Sequence, residues 1–390
     1  MVDPVQNHAR NHVLIAPDKF KGSLTAAEVC AHLAAGLGVP SVALPVADGG
    51  DGTVDAVVAC GFARVEVSVT GPTGEPVTAS YAWDDSGRTA VIELAEASGL
   101  RRLPGELQPL TATSFGTGEL IAHALDAGAR RIVLGLGGSA CTDGGAGLVQ
   151  ALGARLLDSS GADLPRGGAA LRELDRVDLS GFTGLAGVEV VVASDVDNPL
   201  LGPHGAAAVY APQKGATPDD VALLESALAR LAAVATHTHG LVGAVEHDGT
   251  PRPMGVAGAP GAGAAGGVGF AALAFLGAEV RPGIEYLLDL LGFGEHVTGA
   301  RLVITGEGSL DAQSLRGKAP VGVAQAAAKA GVPVIAVCGR RDLGDEELQA
   351  AGIEAAYALT DLEPDTGRCI AEAGPLLEKL GAVVARERLS

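Results

Sequence analysis

Basic and aromatic residues are scarce in this 390-residue chain. Lysine and arginine number 27 against 46 aspartates and glutamates, which gives a formal net charge of −19, and aromatic residues make up 3%. Nucleic acids and anionic membranes bind basic surfaces, so this charge balance argues against both as partners. An anionic small ligand would need local positive charge. Lysines beside or near Gly or Pro in loop-like segments either form such a site or are simply solvated: Lys19, Lys21, Lys214 and Lys318.

Long apolar runs and paired cysteines are also missing. No run of about eighteen uninterrupted apolar residues occurs, which argues against a transmembrane helix. Residues 1–8 are polar, which is typical of a loose tail and not of a signal peptide. The five cysteines are odd in number, widely spaced and never in a CxxC pair, which argues against a disulfide framework and a zinc site. We therefore expect a soluble, cytoplasmic protein with reduced thiols.

Short β-branched runs alternate with Ala/Leu-rich stretches along much of the chain. Buried parallel strands are predicted at His12–Ile15, Ser41–Val46, Arg130–Leu136, Val188–Ala193, Arg301–Thr305 and Val332–Val337. Helices are predicted at Ser23–Gly36, Thr53–Ala59, Gly118–Ala127, Pro218–Ala235, Ala319–Ala330 and Gly367–Arg386. This alternation is typical of βαβ units and predicts an α/β fold with a doubly wound, Rossmann-like parallel sheet.

Three consecutive strand-like runs interrupt the alternation. They cover Arg64–Val69, Glu75–Trp83 and Arg88–Leu94, with Gly-containing turns between them. Such a meander suits a second α/β (α+β) domain inserted into the first, and a chain of 390 residues exceeds what one core usually supports. We predict a discontinuous Rossmann-like domain of residues 1–60 plus 281–390 and an inserted domain of residues 61–280.

Glycine, at 57 residues, is concentrated after the predicted strands, where open α/β sheets bind ligands. In the loop 16–23, Lys19 and Lys21 precede a helix whose first N–H groups favour phosphate or carboxylate. In the loop 48–53, Asp48 stands beside Gly49 and Gly50, and its carboxylate can hold Mg²⁺ or accept a hydroxyl proton. Ordinary capped helices and Asp-Gly turns are the alternatives for both loops.

Two further glycine-rich loops carry more polar residues. In the loop 135–145, Gly137, Gly138 and Ser139 allow close approach of the backbone to phosphate oxygens. The loop 305–320 brings charged and polar side chains to the edge of the sheet: Glu307, Asp311, Gln313 and Lys318. Asp195 follows another predicted strand, and Lys214 lies in the segment 212–215; either segment is equally well explained as a solvated loop.

The segment 261–266 matches the GxGxxG pattern of dinucleotide-binding proteins. It belongs to an Ala/Gly/Pro-rich stretch, 250–269, that is predicted as a loop opening a helix. The fingerprint requires a preceding strand, and here a loop precedes it. An NAD-linked or other nucleotide-dependent enzyme is therefore an alternative only if this segment is a true strand–helix turn.

Ten segments, in order, resemble the bacterial glycerate kinase type-1 family from about residue 13 to about residue 361. They are IAPDKFKGS, PVADGGDGT, TGPTG, ATSFGTGELI, GLGGSACTDGGAG, SDVDNPLLGP, PQKG, GAGAAGG, FLGAEVRPGIE and ITGEGSLDAQSLRGKAP. The resemblance implies a two-domain enzyme with its site between the domains, ATP and Mg²⁺ as cofactors, and D-glycerate as acceptor. Its implied product is commonly 2-phosphoglycerate. Asp51, Cys141-Thr142 and Ser309 depart from the family's usual Glu, Thr-Asn and Arg.

Phosphoryl transfer needs charge neutralisation and in-line positioning more than covalent chemistry. Given the resemblance, we predict the following catalytic residues: Asp195, Asp48 and Lys19. We predict contacts to substrate or phosphate from Lys21, Gly49, Gly50, Gly137, Gly138, Ser139, Lys214 and Gln313. We predict Mg²⁺ ligands at Glu307 and Asp311. Asp195 is favoured as the base because Glu307 and Asp311 offer a metal pair, although a metal-binding role for Asp195 also fits.

The partners predicted by this interpretation are glycerate and ATP, with a homodimer possible. An alternative from another functional class is a non-catalytic protein whose glycine-rich turns bind a phosphorylated effector. ATP-dependent consumption of glycerate would distinguish these hypotheses.

Overall fold

The computed structural model describes residues 12–239, 255–315 and 317–389. The predicted N-terminal tail, 1–8, and the first residues of the predicted loop 250–269 lie outside these ranges. Within them, no helix combines the length and apolar character needed to cross a membrane.

Strands and helices alternate along most of the described chain. The strands are β1 (His12–Pro17), β2 (Ser41–Ala43), β3 (Ala63–Thr70), β4 (Pro76–Asp84), β5 (Thr89–Glu93), β6 (Arg131–Gly135), β7 (Arg155–Leu157), β8 (Arg176–Asp178), β9 (Glu189–Ala193), β10 (Glu279–Arg281), β11 (Ala300–Leu310), β12 (Val334–Arg341) and β13 (Ala355–Ala358). The helices are α1 (Ala26–Leu37), α2 (Thr53–Ala59), α3 (Leu94–Ser98), α4 (Phe115–Asp126), α5 (Ala146–Ala151), α6 (Ala206–Tyr210), α7 (Pro218–His239), α8 (Ala264–Phe275), α9 (Gly283–Leu290), α10 (Phe293–Val297), α11 (Ala319–Lys329), α12 (Asp345–Ala350), α13 (Thr366–Ala371) and α14 (Ala373–Arg388).

The chain forms two compact units. The first contains the described residues through Asp48, Asp55–Gly61 and the chain from Pro282 onward; the second contains Gly49–Val54 and Phe62–Arg281. The segment 49–54 thus belongs to the second unit, although its flanking residues belong to the first. The predicted division into folding domains stays a prediction.

The first unit is built on a five-stranded sheet in the order β13-β12-β11-β1-β2, with every neighbouring pair parallel. Its core joins apolar residues of β1, β11 and β12 to helices α1 and α14. Parallel strands covered by helices are the arrangement that the alternating pattern predicts, so the predicted α/β class is confirmed.

The second unit contains a six-stranded sheet in the order β10-β9-β6-β5-β4-β3. Strands β10, β9, β6 and β5 are parallel neighbours, whereas β4 and β3 run antiparallel at one side. The predicted meander therefore supplies β3, β4 and β5, and its third strand joins the parallel part of the sheet. Two separate apolar clusters fill this unit.

Helix α1, predicted from Ser23, begins at Ala26 and is capped by Thr25. The Thr25 side chain accepts from the backbone N–H of Glu28, and the Glu28 carboxylate accepts from the backbone N–H of Thr25 at 2.8 Å. Ser23 does not cap this helix; its hydroxyl donates to the Ile370 carbonyl at 2.9 Å.

The C-terminal helix predicted at 367–386 is divided in two. Helix α13 ends at Ala371 and α14 begins at Ala373. The backbone of Glu372, at φ −113° and ψ 23°, leaves the helical region between them.

Candidate active site

Carboxylates from three segments of the first unit meet where its central strands end. Strand β1 pairs with β11 up to Pro17 and Gly306, and the N–H of Asp18 donates to the Gly306 carbonyl at 2.8 Å. Asp18 follows β1, and Glu307 lies next to Gly306 in β11. Asp48 ends the segment that follows β2. Neighbouring parallel strands bring their carboxyl ends to one edge, so strand pairing places these acids together.

The acids influence one another's protonation. Burial raises the pKa of Asp18 to about 7, and the charges of Asp48 and Glu307 add to the effect while Lys19 opposes it. Burial also raises the pKa of Glu307. The buried Oε1 of Glu307 has no hydrogen-bond partner within the described chain, and its Oε2 lies 4.0 Å from the Lys318 ammonium. Several carboxyl groups therefore share this edge of the sheet with Lys19 and Lys318.

Mg²⁺ is the cation that the sequence resemblance implies, and the carboxylates of the first unit are compatible with it. In the described part of the chain, no group of three or more His, Cys, Asp or Glu residues is placed to hold a metal ion. Mg²⁺ does not require such a cage, because it is commonly held by one or two carboxylates together with phosphates and water. The unpartnered Oε1 of Glu307, with Asp48 and Asp18 nearby, offers that kind of partial site.

The predicted residues Asp311 and Gln313 shape the turn after β11. The Asp311 carboxylate accepts from the N–H of Gln313 at 2.7 Å, and the N–H of Asp311 donates to Ser314 Oγ at 3.0 Å. Gln313 is exposed, and its Oε1 lies 3.5 Å from the Lys318 ammonium. Asp311 adds to the negative charge around Glu307.

Asp18 is a site residue that sequence reasoning missed. It lies in the segment IAPDKFKGS, where only the lysines were assigned roles. Asp18 could have been predicted from its position directly after a buried strand, because the same position led to the prediction of Asp195 as a site residue. Lys19 lies next to it and opposes its raised pKa, whereas Lys21 is exposed.

A buried lysine lies at the glycine-rich loop of the second unit. Lys214 is only 2% exposed, and its Nζ donates to Ser139 Oγ at 2.7 Å and to the Cys141 carbonyl at 2.5 Å. The solvated-loop alternative for Lys214 is therefore wrong. Burial lowers the pKa of Lys214 to about 8, against the opposing influence of Cys141 and Asp143.

Asp143 is a second buried charge that sequence reasoning did not select. It is 0% exposed. Its Oδ2 accepts from the N–H and the hydroxyl of Ser114 at 2.8 and 2.9 Å. The amides of Gly145 and Gly147 also donate to this carboxylate, at 3.1 and 3.2 Å. It therefore fixes the start of α4 against the start of α5, while its charge stabilises the ammonium of Lys214.

The predicted glycines bring two loops of the second unit into close contact. The N–H of Gly137 donates to the Gly49 carbonyl at 3.4 Å, and a Cβ on Gly137 would lie 2.5 Å from the Gly50 Cα. Gly49 has φ +87°, and a Cβ there would lie 2.2 Å from the Ala193 carbonyl oxygen. Asp195 follows this end of β9 and is exposed. The structure thus gathers the loop 49–50, the loop 137–139 and the end of β9.

An ionic cluster holds the segment 49–54 in the second unit. Glu93, at the end of β5 and 1% exposed, accepts from the N–H groups of Gly52 and Val54 at 3.0 and 3.3 Å. Burial raises the pKa of Glu93 to about 7, opposed by the guanidinium of Arg101. Arg101 also pairs with Asp51 and Glu96. The departure at Asp51 therefore retains a carboxylate that contacts Arg101.

The GxGxxG-like segment has no dinucleotide-binding context. It follows a 3₁₀ turn, Gly255–Gly258, and not a strand. Ala265, Gly266 and Gly267 have positive φ values, and a Cβ on Gly266 would lie 2.2 Å from the Cys141 carbonyl oxygen. The segment packs against the glycine-rich loop and is not a strand–helix turn. The NAD-linked alternative depended on such a turn, so it loses its support.

The predicted site residues divide into two groups. The first unit holds Lys19, Lys21, Asp48, Glu307, Asp311 and Gln313. The second holds Gly49, Gly50, Gly137, Gly138, Ser139, Asp195 and Lys214. Within the second group, Ser139 and Asp195 follow the parallel strands β6 and β9, whereas Lys214 reaches Ser139 from a 3₁₀ turn after α6.

Known proteins with similar sequences include several glycerate kinases. The chain is 45% identical to glycerate kinase of Bacillus subtilis (strain 168) over 355 residues, covering 89% of this chain and 90% of that protein. It is 44% identical to glycerate 2-kinase of Escherichia coli (strain K12) over 355 residues, with the same coverage.

A solved structure extends the similarity to the fold. A crystal structure described as a glycerate kinase 2 from Salmonella typhimurium LT2 matches with a TM-score of 0.82 and 41% identity, over 96% of this chain and 97% of that one. Residues 13–388 also match the family described as the glycerate kinase family. With this match, the chain belongs to the glycerate kinase family.

Proposed function

We propose that the protein transfers the γ-phosphoryl group of ATP to a hydroxyl group of D-glycerate, with 2-phosphoglycerate as the favoured product. The observation that carries this proposal is the family match over residues 13–388. The relative from Escherichia coli named glycerate 2-kinase supports the position of transfer. The two charge clusters fit the requirements of phosphoryl transfer, since one suits a cation and the other an anion.

The carboxylates of the first unit would hold Mg²⁺ with the nucleotide. Glu307 is the primary candidate because its buried Oε1 lacks a partner in the described chain, and Asp311 stays the second predicted ligand. Asp48 and Asp18 add negative charge beside Glu307. When bound, Mg²⁺ neutralises phosphate charge. Lys19, Lys21, Lys318 and Gln313 are the further polar residues of this unit available to phosphate oxygens.

Asp195 is our candidate for the general base, with Asp48 as the second. Asp195 is exposed and lies two residues after Ala193, whose carbonyl packs against Gly49, so a substrate hydroxyl could reach its carboxylate. In the proposed step the glycerate hydroxyl loses its proton to the Asp195 carboxylate and its oxygen bonds to the γ-phosphorus. The bond from that phosphorus to the β–γ bridging oxygen breaks, and ADP leaves with that oxygen.

The donors of the second unit would hold anionic oxygens. Gly138 would offer its backbone N–H, while Gly137 packs against the loop 49–50 and donates its own N–H to the Gly49 carbonyl; Ser139 adds a hydroxyl. Lys214 supplies buried positive charge behind this loop. A cytoplasmic location and a homodimer stay predictions.

An ADP-coupled assay over a panel of small hydroxy acids tests the proposal. We expect Mg-ATP turnover with D-glycerate to exceed turnover with L-glycerate, lactate and glycolate. Folded protein that releases no ADP above background with D-glycerate, across several divalent metals, would contradict the kinase proposal. Binding of these anions without turnover would favour the non-catalytic alternative.

A further inference from the structure

We propose that Lys214 is a positioning residue whose ammonium fixes the Ser139 hydroxyl as a hydrogen-bond donor to an anionic oxygen of the bound ligand. This inference rests on the proposed function and adds a specific role for one residue of its ligand site. It gives Lys214 an indirect role through Ser139, in place of a direct contact with the ligand.

The geometry around the ammonium supports the indirect role. Lys214 lies in the 3₁₀ turn Pro212–Lys214, and its Nζ donates to Ser139 Oγ at 2.7 Å and to the Cys141 carbonyl at 2.5 Å. Both partners belong to the loop that follows β6. One ammonium therefore ties two points of the glycine-rich loop, at sequence separations of 75 and 73 residues.

The chemistry of the two groups sets the direction of the hydrogen bond. A lysine ammonium has three donors and no acceptor, so Ser139 Oγ must accept. A serine hydroxyl has a single proton, which is then available to a different oxygen. Charged Lys214 thus directs the Ser139 hydroxyl proton away from itself and towards another oxygen, and without a donor at position 214 the hydroxyl loses this fixed orientation.

Ser139, which we propose contacts the ligand, is slightly less buried than Lys214, which we propose orients it. Ser139 is 7% exposed, whereas its loop neighbours Thr142 and Asp143 are 0% exposed and Lys214 is 2% exposed. The charge of Asp143 compensates the ammonium, but its oxygens bond to Ser114 and to backbone amides. Ser139 is the least buried of these four polar residues, and in this proposal the buried ammonium acts on the ligand through its hydroxyl.

The ligand group is an oxygen acceptor with negative charge. A phosphate oxygen of ATP and the carboxylate of D-glycerate share this chemistry, and both accept a hydroxyl hydrogen bond. Separate titrations of ATP and D-glycerate distinguish the two sources.

A double-mutant cycle tests the inference. The four proteins are wild type, Ser139→Ala, Lys214→Met and the double variant, with Kd for ATP and for D-glycerate measured by calorimetry. We expect each single variant to weaken one of the two ligands by about tenfold or more, and the double variant to match Lys214→Met. Single effects that multiply in the double variant, or a Ser139→Ala variant that binds both ligands like wild type, would overturn the inference.

Matched variants separate orientation from folding. Lys214→Arg and Ser139→Thr keep a donor and a hydroxyl, and each should stay within about threefold of wild type if donor orientation is what matters. Thr142→Val removes a buried hydroxyl that lacks a partner in the described chain, and it should leave both Kd values unchanged. If Lys214→Met fails to fold, the contrast of Ser139→Ala with Ser139→Thr decides, and equal binding by these two overturns the inference.

Failure of the inference about Lys214 can be distinguished from failure of the proposed kinase activity. Wild-type protein that binds ligand but shows no turnover would contradict the kinase proposal, while the cycle in Kd still decides the role of Lys214. Wild-type protein that binds neither ligand would overturn the inference itself.

Discussion

The two units bury different charged groups near the ends of their parallel strands. In the first unit, Asp18, Asp48 and Glu307 collect around a buried carboxylate oxygen that has no partner in the described chain. In the second, Lys214 is buried with two partners and a compensating Asp143. The first arrangement leaves a buried carboxylate oxygen without a partner in the described chain, whereas in the second the buried ammonium has two hydrogen-bond partners, one of them the Ser139 hydroxyl. The same strand-end geometry therefore suits a metal–nucleotide at one sheet and an anionic group at the other.

The largest effect is expected from Asp195→Asn, which tests whether the base belongs to the second unit. A lost general base typically lowers the rate by about 10²–10⁴, and added Mg²⁺ or Mn²⁺ should not restore it. The measurement is kcat against metal concentration, with a thermal melt to confirm folding. Asp197→Asn, an exposed neighbour in the same loop, is the control. Near-wild-type kcat would remove Asp195 from the site, and recovery at high metal would assign it to the metal.

A smaller effect, confined to metal dependence, is expected from Glu307→Gln. If the unpartnered Oε1 of Glu307 holds Mg²⁺, its loss should raise the Mg²⁺ concentration for half-maximal rate by about tenfold or more. Activity should recover at high metal. Asp311→Asn is the comparison, since its carboxylate already accepts from the turn backbone, and we expect a weaker effect there. An unchanged metal requirement in Glu307→Gln would contradict the contrast between the units.

For Glu93→Gln we expect mainly a change in how the free energy of unfolding depends on pH, and not a change in catalysis. The pKa of Glu93 is raised from 4.5 to about 7 in the folded protein, so the native state binds more protons than the unfolded state between these values. Its contribution to stability is therefore full below pH 4.5 and is lost as pH rises through 7. Glu93→Gln should remove this pH-dependent decrease in the free energy of unfolding, which is on the order of 1–3 kcal/mol.

Denaturant unfolding at a series of pH values measures this slope. Glu66→Gln on β3 is an exposed control in the same sheet and should keep the wild-type pH dependence. A Glu93→Gln protein with an unchanged slope would show that Arg101 keeps Glu93 ionised throughout.

The smallest effect is expected from Cys141→Ser. Cys141 is fully buried, burial raises the pKa of its thiol, and its Sγ lies 3.9 Å from the Ala265 carbonyl. Transfer to a hydroxyl acceptor needs no thiolate, so kcat should stay within about tenfold of wild type. A larger loss, measured on folded protein in the same ADP-coupled assay, would show that the thiol does more than fill the loop.

Local patterns predicted most strands of the two large sheets and the longer helices, but not short elements such as β7, β8 and α12. Long-range packing decided which polar side chains contact one another. Helix α2 occupies the predicted Thr53–Ala59, and the carboxylates after strands converge in the first unit as strand pairing requires. The burial of Lys214 depends on a loop about 75 residues away, which no local pattern reveals. The role of Glu93 likewise depends on Gly52, 41 residues before it. Polar residues at strand ends were therefore predictable, and their partners were not.

The most direct test of the account follows the reaction by ³¹P NMR with wild-type protein, Mg-ATP and D-glycerate. We predict that the γ-phosphate signal of ATP is replaced by signals of ADP and of a phosphate monoester that matches 2-phosphoglycerate. Signals of ATP that persist in the presence of folded enzyme, or conversion only to inorganic phosphate and ADP, would contradict the assignment of this chain as a glycerate kinase.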